Sequence, residues 1–325
     1  MLKSSALVTI RLNPQLSLSS EMSKSAPTSA PNASRIASKT AEEFRFKSSA
    51  SRPIREMTML QRSLLLAEVS LISYLSVKEC NLAAGKLGFV KGKFFNSNGA
   101  QAYWFQSPYD SVLVCRGTEP HEWNDIKADA NALTAVAETV GRVHRGFKTE
   151  VDRLWPHVEK ELEANEFPLW FCGHSLGAAM AQICAGRCLI SYIKSEPEEV
   201  YTFGSPRIGN REYVEYPRLK HYRWVNNNDI VPRVPPMLLG YTHSGIELYL
   251  NHLGKIREIH GWRRVVDRAR GFLSSLVKFR IDQLSDHSVT SYIDCIFEAC
   301  LIEEATHKRP SAGDHPSQPA NAAES

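Results

Sequence analysis

The chain has 325 residues, a formal net charge of +4 and an apolar fraction of 43%. This length allows one large α/β domain with tails or two smaller domains, and the apolar fraction supports a sizeable core. So small a charge does not by itself indicate a nucleic-acid partner, and the sequence has no nucleic-acid-binding motif. It also contains no run of 18 apolar residues, the length needed for a helix to span a membrane.

The first part of the chain, residues 1–55, is rich in Ser and Ala and poor in acidic residues. This composition is typical of disordered segments and also of organelle transit peptides. A true start at Met57 or Met59 would give the same pattern. The sequence therefore predicts a disordered or targeting segment over 1–55, and these interpretations stay open.

Helical and strand patterns alternate after this segment, which predicts an α/β fold with a mainly parallel central sheet and helices on both faces. Apolar residues recur at helical spacing over 59–77 and 147–164, and helix-forming residues fill 178–185. Short apolar runs predict strands at 102–105, 111–115, 167–172, 199–203 and 221–225. We therefore predict one domain over 56–305 and a disordered tail over 306–325.

Seven cysteines are scattered along the chain, namely Cys80, Cys115, Cys172, Cys184, Cys188, Cys295 and Cys300. Their odd number and their spacing fit neither a disulfide framework nor a zinc site. They are predicted to be small buried side chains in a reducing compartment. The first twenty residues hold no apolar core of signal-peptide length. An intracellular, cytoplasmic location is therefore predicted, with an organelle as the alternative and no transmembrane helix.

The most informative motif is Gly173-His174-Ser175-Leu176-Gly177, which lies between a predicted strand and a predicted helix. A serine on such a sharp turn has strained backbone angles, and glycines two positions away let the chains pass closely. The turn raises the hydroxyl above the sheet, beside the positive end of the following helix. A serine on this strand–turn–helix arrangement forms a nucleophile elbow. Ser175 is therefore predicted to be a nucleophile, and residues 173–177 are called the elbow below.

A serine nucleophile needs an imidazole to accept its proton and a carboxylate to orient that imidazole. Asp229 follows the strand at 221–225 in a turn fixed by Asn and Pro, so it is the predicted carboxylate. Among the later histidines, His287 stands just before a predicted last helix over 289–301 and is the predicted base. His243 is the principal alternative. His174 is predicted to be a structural neighbour.

An oxyanion hole requires two preorganised donors. The backbone N–H of Leu176, directly after the nucleophile, is predicted to be one of them. The second donor should follow an earlier strand, and the backbone N–H of Thr118, with its hydroxyl, is in that position.

Several further motifs occur in order, and together with the elbow they make the chain resemble the fungal-type (class 3) lipases of the α/β-hydrolase superfamily. The likeness covers roughly residues 60–300. The matching segments are Arg116-Gly117-Thr118, His144-Arg145-Gly146-Phe147, 173–177, 201–210, 228–236 and His287.

The resemblance implies Ser175, Asp229 and His287 as the catalytic triad and Thr118 and Leu176 as oxyanion donors. It also implies lipid or ester substrates and hydrolysis without a cofactor or metal. The same machinery could serve as a phospholipase A1 or act on non-lipid esters. A catalytically silent hydrolase-fold binding or signalling protein is the alternative of another class.

Two segments bear on lipid contact. Residues 121–127 occupy the place of the family's lid, but only Trp123 and Ile126 are strongly apolar there. A lid with so little apolar surface is predicted to control access to the active site only weakly at a lipid interface. Residues 255–280 carry eight basic and two acidic side chains among apolar ones, a balance of 8 − 2 = +6. This segment is predicted either to pack on the domain or to make peripheral contact with an anionic membrane.

Overall fold

The fold is built on a central sheet of eight strands, seen in a computed structural model that describes residues 36–117, 133–191, 193–227, 229–251, 255–257 and 287–307. The strand order is β1-β2-β3-β6-β7-β8-β9-β10, and β4 and β5 form a separate hairpin. The strands are Lys91–Ser97 (β1), Ala100–Gln106 (β2), Ser111–Cys115 (β3), Thr134–Val136 (β4), Arg142–His144 (β5), Leu169–His174 (β6), Pro197–Phe203 (β7), His221–Asn226 (β8), Ile246–Leu250 (β9) and Ile256–Arg257 (β10).

The middle of the sheet is parallel: β3, β6, β7, β8 and β9 pair in that order with the same direction. The pairings β1–β2, β2–β3 and β9–β10 are antiparallel. The predicted mainly parallel α/β sheet is confirmed. In such sheets the carboxyl ends of the parallel strands lie along one edge, where sites form.

Helices cover both faces of the sheet. They are Met59–Ile72 (α1), Val77–Lys86 (α2), Arg145–Glu163 (α3), Leu176–Cys188 (α4), Arg211–Glu215 (α5) and Val289–His307 (α6). Buried side chains of α1, α2 and α6 join one core cluster, and those of α3 and α4 join the other.

Strand β3 shows how one sequence supplies both cores. Successive side chains of a strand point to opposite faces. Val112 and Val114 therefore pack with the α1 and α6 side, while Leu113 and Cys115 pack with the α3 and α4 side. All five residues of β3 are buried, so its continuous apolar run reflects a strand covered on both faces.

The domain begins earlier than the sequence predicted. Ile36, Ala41, Ala50 and Ile54 are buried in the core, so the disorder predicted for 1–55 is wrong for residues 36–55. The carboxylate of Glu68 in α1 accepts the backbone N–H groups of 47 and 48, at 2.8 and 3.1 Å. These bonds satisfy backbone groups of a segment that has few large apolar side chains. Residues 1–35 lie outside the described residues.

The far end differs less from the prediction. Helix α6 reaches His307, two residues past the predicted boundary at 305, and residues 308–325 lie outside the described residues. The seven cysteines are free thiols in this structure; six are buried, as predicted, and Cys295 is partly exposed. Among the helices described here, none has the length and apolar character needed to cross a membrane.

Candidate active site

Ser175 occupies a strained turn between β6 and α4. Its backbone angles are φ 62° and ψ −131°, and its N–H donates to the carbonyl oxygen of Phe203 in the neighbouring strand at 3.0 Å. Conformations of this kind cost energy for a residue with a side chain and are kept where the surroundings fix them. The strand–turn–helix arrangement predicted from the sequence is therefore present at this residue.

The two glycines of the motif are needed for space. A Cβ added at Gly177 would lie 2.1 Å from the carbonyl oxygen of Cys115, and one at Gly173 would lie 2.4 Å from that of Gly177. Real Cβ atoms do not approach backbone this closely, so any side chain would force β3, β6 and α4 apart. The Gly-x-Ser-x-Gly spacing thus follows from close packing around the turn.

The three side chains predicted to form a triad lie within hydrogen-bonding distance of one another. His287 Nε2 is 2.8 Å from Ser175 Oγ, and His287 Nδ1 is 2.9 Å from Asp229 Oδ2. All three residues are at least 95% buried. Ser175 follows β6, Asp229 lies three residues beyond β8, and His287 lies two residues before the start of α6.

Asp229 is held by two further donors. The backbone N–H of Val231 donates to Oδ1 at 2.9 Å, and the hydroxyl of Tyr292 donates to Oδ2 at 2.6 Å. The Tyr292 oxygen in turn accepts the N–H of Asn226 at 3.0 Å. The arrangement fixes Oδ2 where it can accept the His287 Nδ1–H.

Glycine at position 204 makes room for this pair. Gly204 has φ +61°, and a Cβ there would lie 2.7 Å from Asp229 Oδ2 and 3.0 Å from the His287 ring. A side chain would therefore collide with both members of the pair, in a backbone conformation that already disfavours one. Gly204 belongs to the segment 201–210 that carried part of the resemblance.

His174, beside the nucleophile, anchors the main chain of His287. Its Nε2–H donates to the His287 carbonyl oxygen at 2.6 Å, and its Nδ1 accepts the Tyr74 hydroxyl at 2.9 Å. A carbonyl oxygen can only accept, so these partners fix the tautomer. Burial, and secondarily the nearby His287, lowers the pKa of His174 well below its ordinary value. His174 is thus a neutral structural neighbour, as the sequence predicted.

One of the two predicted oxyanion donors is described. Leu176 is the first residue of α4, where backbone N–H groups have no intrahelical acceptor. Thr118 lies outside the described residues, but Gly117 before it packs against the elbow. A Cβ at Gly117 would be 3.3 Å from the Cβ of Ser175 and 2.7 Å from the His174 carbonyl oxygen.

The remaining histidine candidates are placed elsewhere or not described. His243 Nε2 donates to the Pro232 carbonyl oxygen at 2.7 Å, and burial lowers its pKa well below the ordinary value. This alternative base therefore has a backbone partner of its own. His252, His260 and His315 lie outside the described residues, as do the lid segment 121–127 and all of 255–280 except residues 255–257.

A second hydroxyl–imidazole contact lies at the other end of β8. The Thr202 hydroxyl is 2.7 Å from His221 Nε2, and the Ser244 hydroxyl is 2.9 Å from His221 Nδ1. Burial, and then the charge of Arg223, lowers the pKa of His221 to about 3. The Ser244 hydroxyl thus takes the place beside His221 that the Asp229 carboxylate takes beside His287.

Sequence reasoning did not identify Tyr292 or Tyr74. The only signal for Tyr292 is its position one turn into the helix that follows His287, and Tyr74 lies a hundred residues before its partner His174. Among the described residues, no group of three or more His, Cys, Asp or Glu side chains could hold a metal ion.

Part of the chain is similar to known lipases and to a bacterial toxin. A model of the family "Lipase (class 3)" matches residues 112–239. The chain is 39% identical over 114 residues to toxin TseL of Vibrio cholerae, and 31% identical over 119 residues to the secreted mono- and diacylglycerol lipase 1 of Fusarium solani. Each match covers 34% of this chain, but only 18% and 34% of the respective relative.

The solved structure of lipase II from Rhizopus niveus shares the fold. It aligns with a TM-score of 0.50 and 24% identity, over 59% of this chain and 80% of that one. At this identity the likeness concerns the architecture alone. Over residues 112–239 the chain is therefore similar to the class 3 lipases, and its architecture is similar to that of a fungal lipase.

Proposed function

We propose that this protein is a serine hydrolase that cleaves carboxylic esters of lipids. The observation that carries the proposal is the chain of contacts from Ser175 Oγ to His287 Nε2 at 2.8 Å and from His287 Nδ1 to Asp229 Oδ2 at 2.9 Å. This combination of groups can activate a serine for acyl transfer. The match of residues 112–239 to the model of the class 3 lipases supports the same chemistry.

The attack step uses the proton acceptor already in contact with the hydroxyl. Ser175 Oγ bonds to the ester carbonyl carbon while its proton passes to His287 Nε2. Asp229 accepts the Nδ1–H and stabilises the imidazolium that forms. The strained elbow keeps Oγ at the carboxyl edge of the sheet, and the anchored His287 carbonyl keeps the ring beside it.

Negative charge develops on the carbonyl oxygen in the same step. The Leu176 N–H, at the positive end of α4, is the proposed first donor to this oxyanion. Thr118 is the proposed second donor, supported by the close approach of Gly117 to the elbow. Removing one such donor typically costs roughly 3 kcal/mol of transition-state stabilisation.

Collapse of the tetrahedral intermediate completes the first half of the reaction. The carbon–oxygen bond to the leaving alcohol breaks, and the alcohol takes the proton from His287. The acyl group then stays on Ser175 until water, deprotonated by the same imidazole, releases the acid. A relative named as a mono- and diacylglycerol lipase supports acylglycerols as the substrate class.

The proposal predicts a large difference between two hydroxyl groups that both contact an imidazole. Ser175→Ala should lower kcat on a soluble ester by a factor of about 10⁴ or more and abolish labelling by a fluorophosphonate probe. Thr202→Val removes the hydroxyl 2.7 Å from His221 at nearly constant volume and should leave labelling intact. Ester hydrolysis and in-gel fluorescence measure both effects.

Labelling of a well-folded wild type decides the alternative class. A protein that unfolds cooperatively, takes no label and hydrolyses no ester of any chain length would be a silent scaffold, and the proposal would fall. A panel of acylglycerols, phospholipids and non-lipid esters then separates a lipase from a phospholipase A1 or a general esterase.

A further inference from the structure

Three consecutive apolar side chains project into solvent between Asp229 and β9. Met237 is 67% exposed, Leu238 98% and Leu239 52%. Single exposed apolar residues are common on protein surfaces, but contiguous ones mark contact sites more often. We name residues 236–240 the apolar turn.

The apolar turn has a fixed backbone. The Leu239 N–H donates to the Pro236 carbonyl oxygen at 3.1 Å, and the Gly240 N–H donates to that of Met237 at 2.9 Å. Gly240 ends the turn at φ 81°, and the guanidinium of Arg207 donates to the Pro235 carbonyl oxygen at 2.8 Å. The three side chains are therefore presented by a hydrogen-bonded turn that is tied to the body of the domain.

The position of the turn relates it to the site. Met237 and Asp229 line the same cavity, which has a volume of about 220 Å³. Asp229 also contacts His287, with Oδ2 2.9 Å from the ring Nδ1. A surface that touched the apolar turn would thus lie close to the carboxyl edge of the sheet, where Ser175 is placed.

The charge around the turn favours an anionic partner. Residues 230–246 contain no Asp or Glu. Arg233 is exposed at the base of the turn. The cavity beside it is lined by three arginines, including Arg233, and by two carboxylates, so one positive charge is in excess. One of these carboxylates, Glu247, pairs with Arg223 at 2.9 Å, while Arg207 and Arg233 lie nearer the turn. An apolar tip with cations behind it is the arrangement by which peripheral proteins enter the interface of anionic lipid surfaces.

We propose that the apolar turn inserts into anionic lipid surfaces and orients the candidate active site toward them. The occupant of this surface is the headgroup–acyl boundary of a membrane or lipid particle. The inference deepens the proposed function, because a lipid hydrolase must meet its substrate at such a boundary, but the binding it predicts does not require catalysis. It also differs from the contact predicted for 255–280, since it depends on other residues.

The test measures binding in the Ser175→Ala background, so that vesicle affinity is independent of hydrolysis. Co-sedimentation with phosphatidylcholine vesicles containing phosphatidylglycerol should be strong, and weaker with phosphatidylcholine alone. Leu238→Asp should weaken binding by about tenfold or more, since a buried leucine contact is replaced by a charge. Ile190→Asp is the matched control: Ile190 is 47% exposed and follows the C-terminus of α4, at the end of that helix farthest from Ser175.

A second variant reports insertion directly. Leu238→Trp should show an emission shift to shorter wavelength on adding anionic vesicles, beyond any shift of the parent protein. Thermal unfolding of each variant checks that the fold is kept, which an exposed position should allow.

Three outcomes would overturn the inference. Equal vesicle binding by Leu238→Asp and its parent would remove the turn from the contact, and equal loss in Ile190→Asp would make the effect one of net charge. Concentration-dependent dimerisation abolished by Leu238→Asp would assign the turn to a contact between copies. A wild type that binds vesicles through the turn but hydrolyses no ester would instead refute only the proposed function.

Discussion

The two ends of strand β8 carry similar contacts that differ in one group. Near its amino end, the Thr202 hydroxyl is 2.7 Å from His221 Nε2, and beyond its carboxyl end Asp229 contacts a ring whose Nε2 is 2.8 Å from Ser175 Oγ. By distance alone both hydroxyls are paired with a base. The Nδ1 atom distinguishes them: it faces the Ser244 hydroxyl in His221 and a carboxylate in His287.

This difference decides which imidazole can receive a proton. Burial and then Arg223 lower the pKa of His221 to about 3, so that ring stays neutral and its contacts are structural. A carboxylate at Nδ1 stabilises the imidazolium instead, which is what proton transfer from a serine requires. The comparison teaches that the group behind the ring, rather than the hydroxyl in front of it, separates a candidate base from a buried core histidine.

Replacing the group at each Nδ1 should give the largest difference. Asp229→Asn keeps the shape but can present an N–H to the ring, which favours the wrong tautomer, and we expect kcat to fall about 10⁴-fold. Ser244→Ala removes the hydroxyl that contacts His221 Nδ1. We expect kcat to change by less than about threefold, because this partly buried hydroxyl does not contact the reacting atoms. Steady-state hydrolysis of a soluble ester measures both. Similar losses in the two variants would contradict the distinction.

Acid unfolding should reveal the second histidine. A folded-state pKa of about 3 lies below the ordinary value near 6.5, so the unfolded chain binds more protons between these pH values. Stability is therefore lost as the pH falls from about 6.5 toward 3, by up to about 1.4 kcal/mol per pH unit for this one group. In His221→Gln the free energy of unfolding should fall less steeply with decreasing pH.

The measurement compares denaturant unfolding of the two proteins across this pH range. His174 and His243 also have lowered pKa values and add slope of the same sign to both proteins, so the difference between the curves isolates His221. Parallel curves would show that His221 is not held neutral by the fold.

The candidate triad could be located from sequence because its members sit in local motifs. A Cβ at Gly173 or Gly177 would lie 2.4 or 2.1 Å from a backbone oxygen atom, so only glycine fits at these two positions. The spacing of the two glycines therefore indicates the turn. Asp229 follows a strand, and His287 precedes a helix, and both boundaries have apolar periodicity that a sequence displays. The chemistry then restricts which residue types can fill each place.

Other parts depended on contacts that no local pattern records. Strand β1 was not predicted, because its residues Lys91–Ser97 are mostly exposed and lack an apolar period. Residues 36–55 join the domain through carboxylates of distant helices, such as Glu79, which accepts the Ala41 N–H at 2.7 Å. The residues that form such long-range hydrogen bonds are polar residues without a recognisable sequence pattern, so the bonds could not be predicted.

The smallest expected effect concerns Tyr292, which the sequence also did not reveal. Tyr292→Phe removes the donor to Asp229 Oδ2 and the acceptor of the Asn226 N–H. Leaving those buried groups short of a partner should cost about 1–3 kcal/mol in the free energy of unfolding. Because the Val231 N–H and the His287 Nδ1–H still hold the carboxylate, kcat should fall by only about tenfold or less, against 10⁴-fold for Asp229→Asn.

Tyr201→Phe provides the matched control for that prediction. The Tyr201 hydroxyl donates to the Glu199 carboxylate at the same 2.6 Å, and both residues are buried in β7. This variant should lose a similar amount of stability without lowering kcat. Both variants are assayed at temperatures below their unfolding transitions. If both then lowered kcat equally, the Tyr292 hydroxyl would affect catalysis only by stabilising the fold. A loss confined to Tyr292→Phe would instead show that orienting Asp229 is its separate contribution, and that the carboxylate behind the ring must itself be held in place.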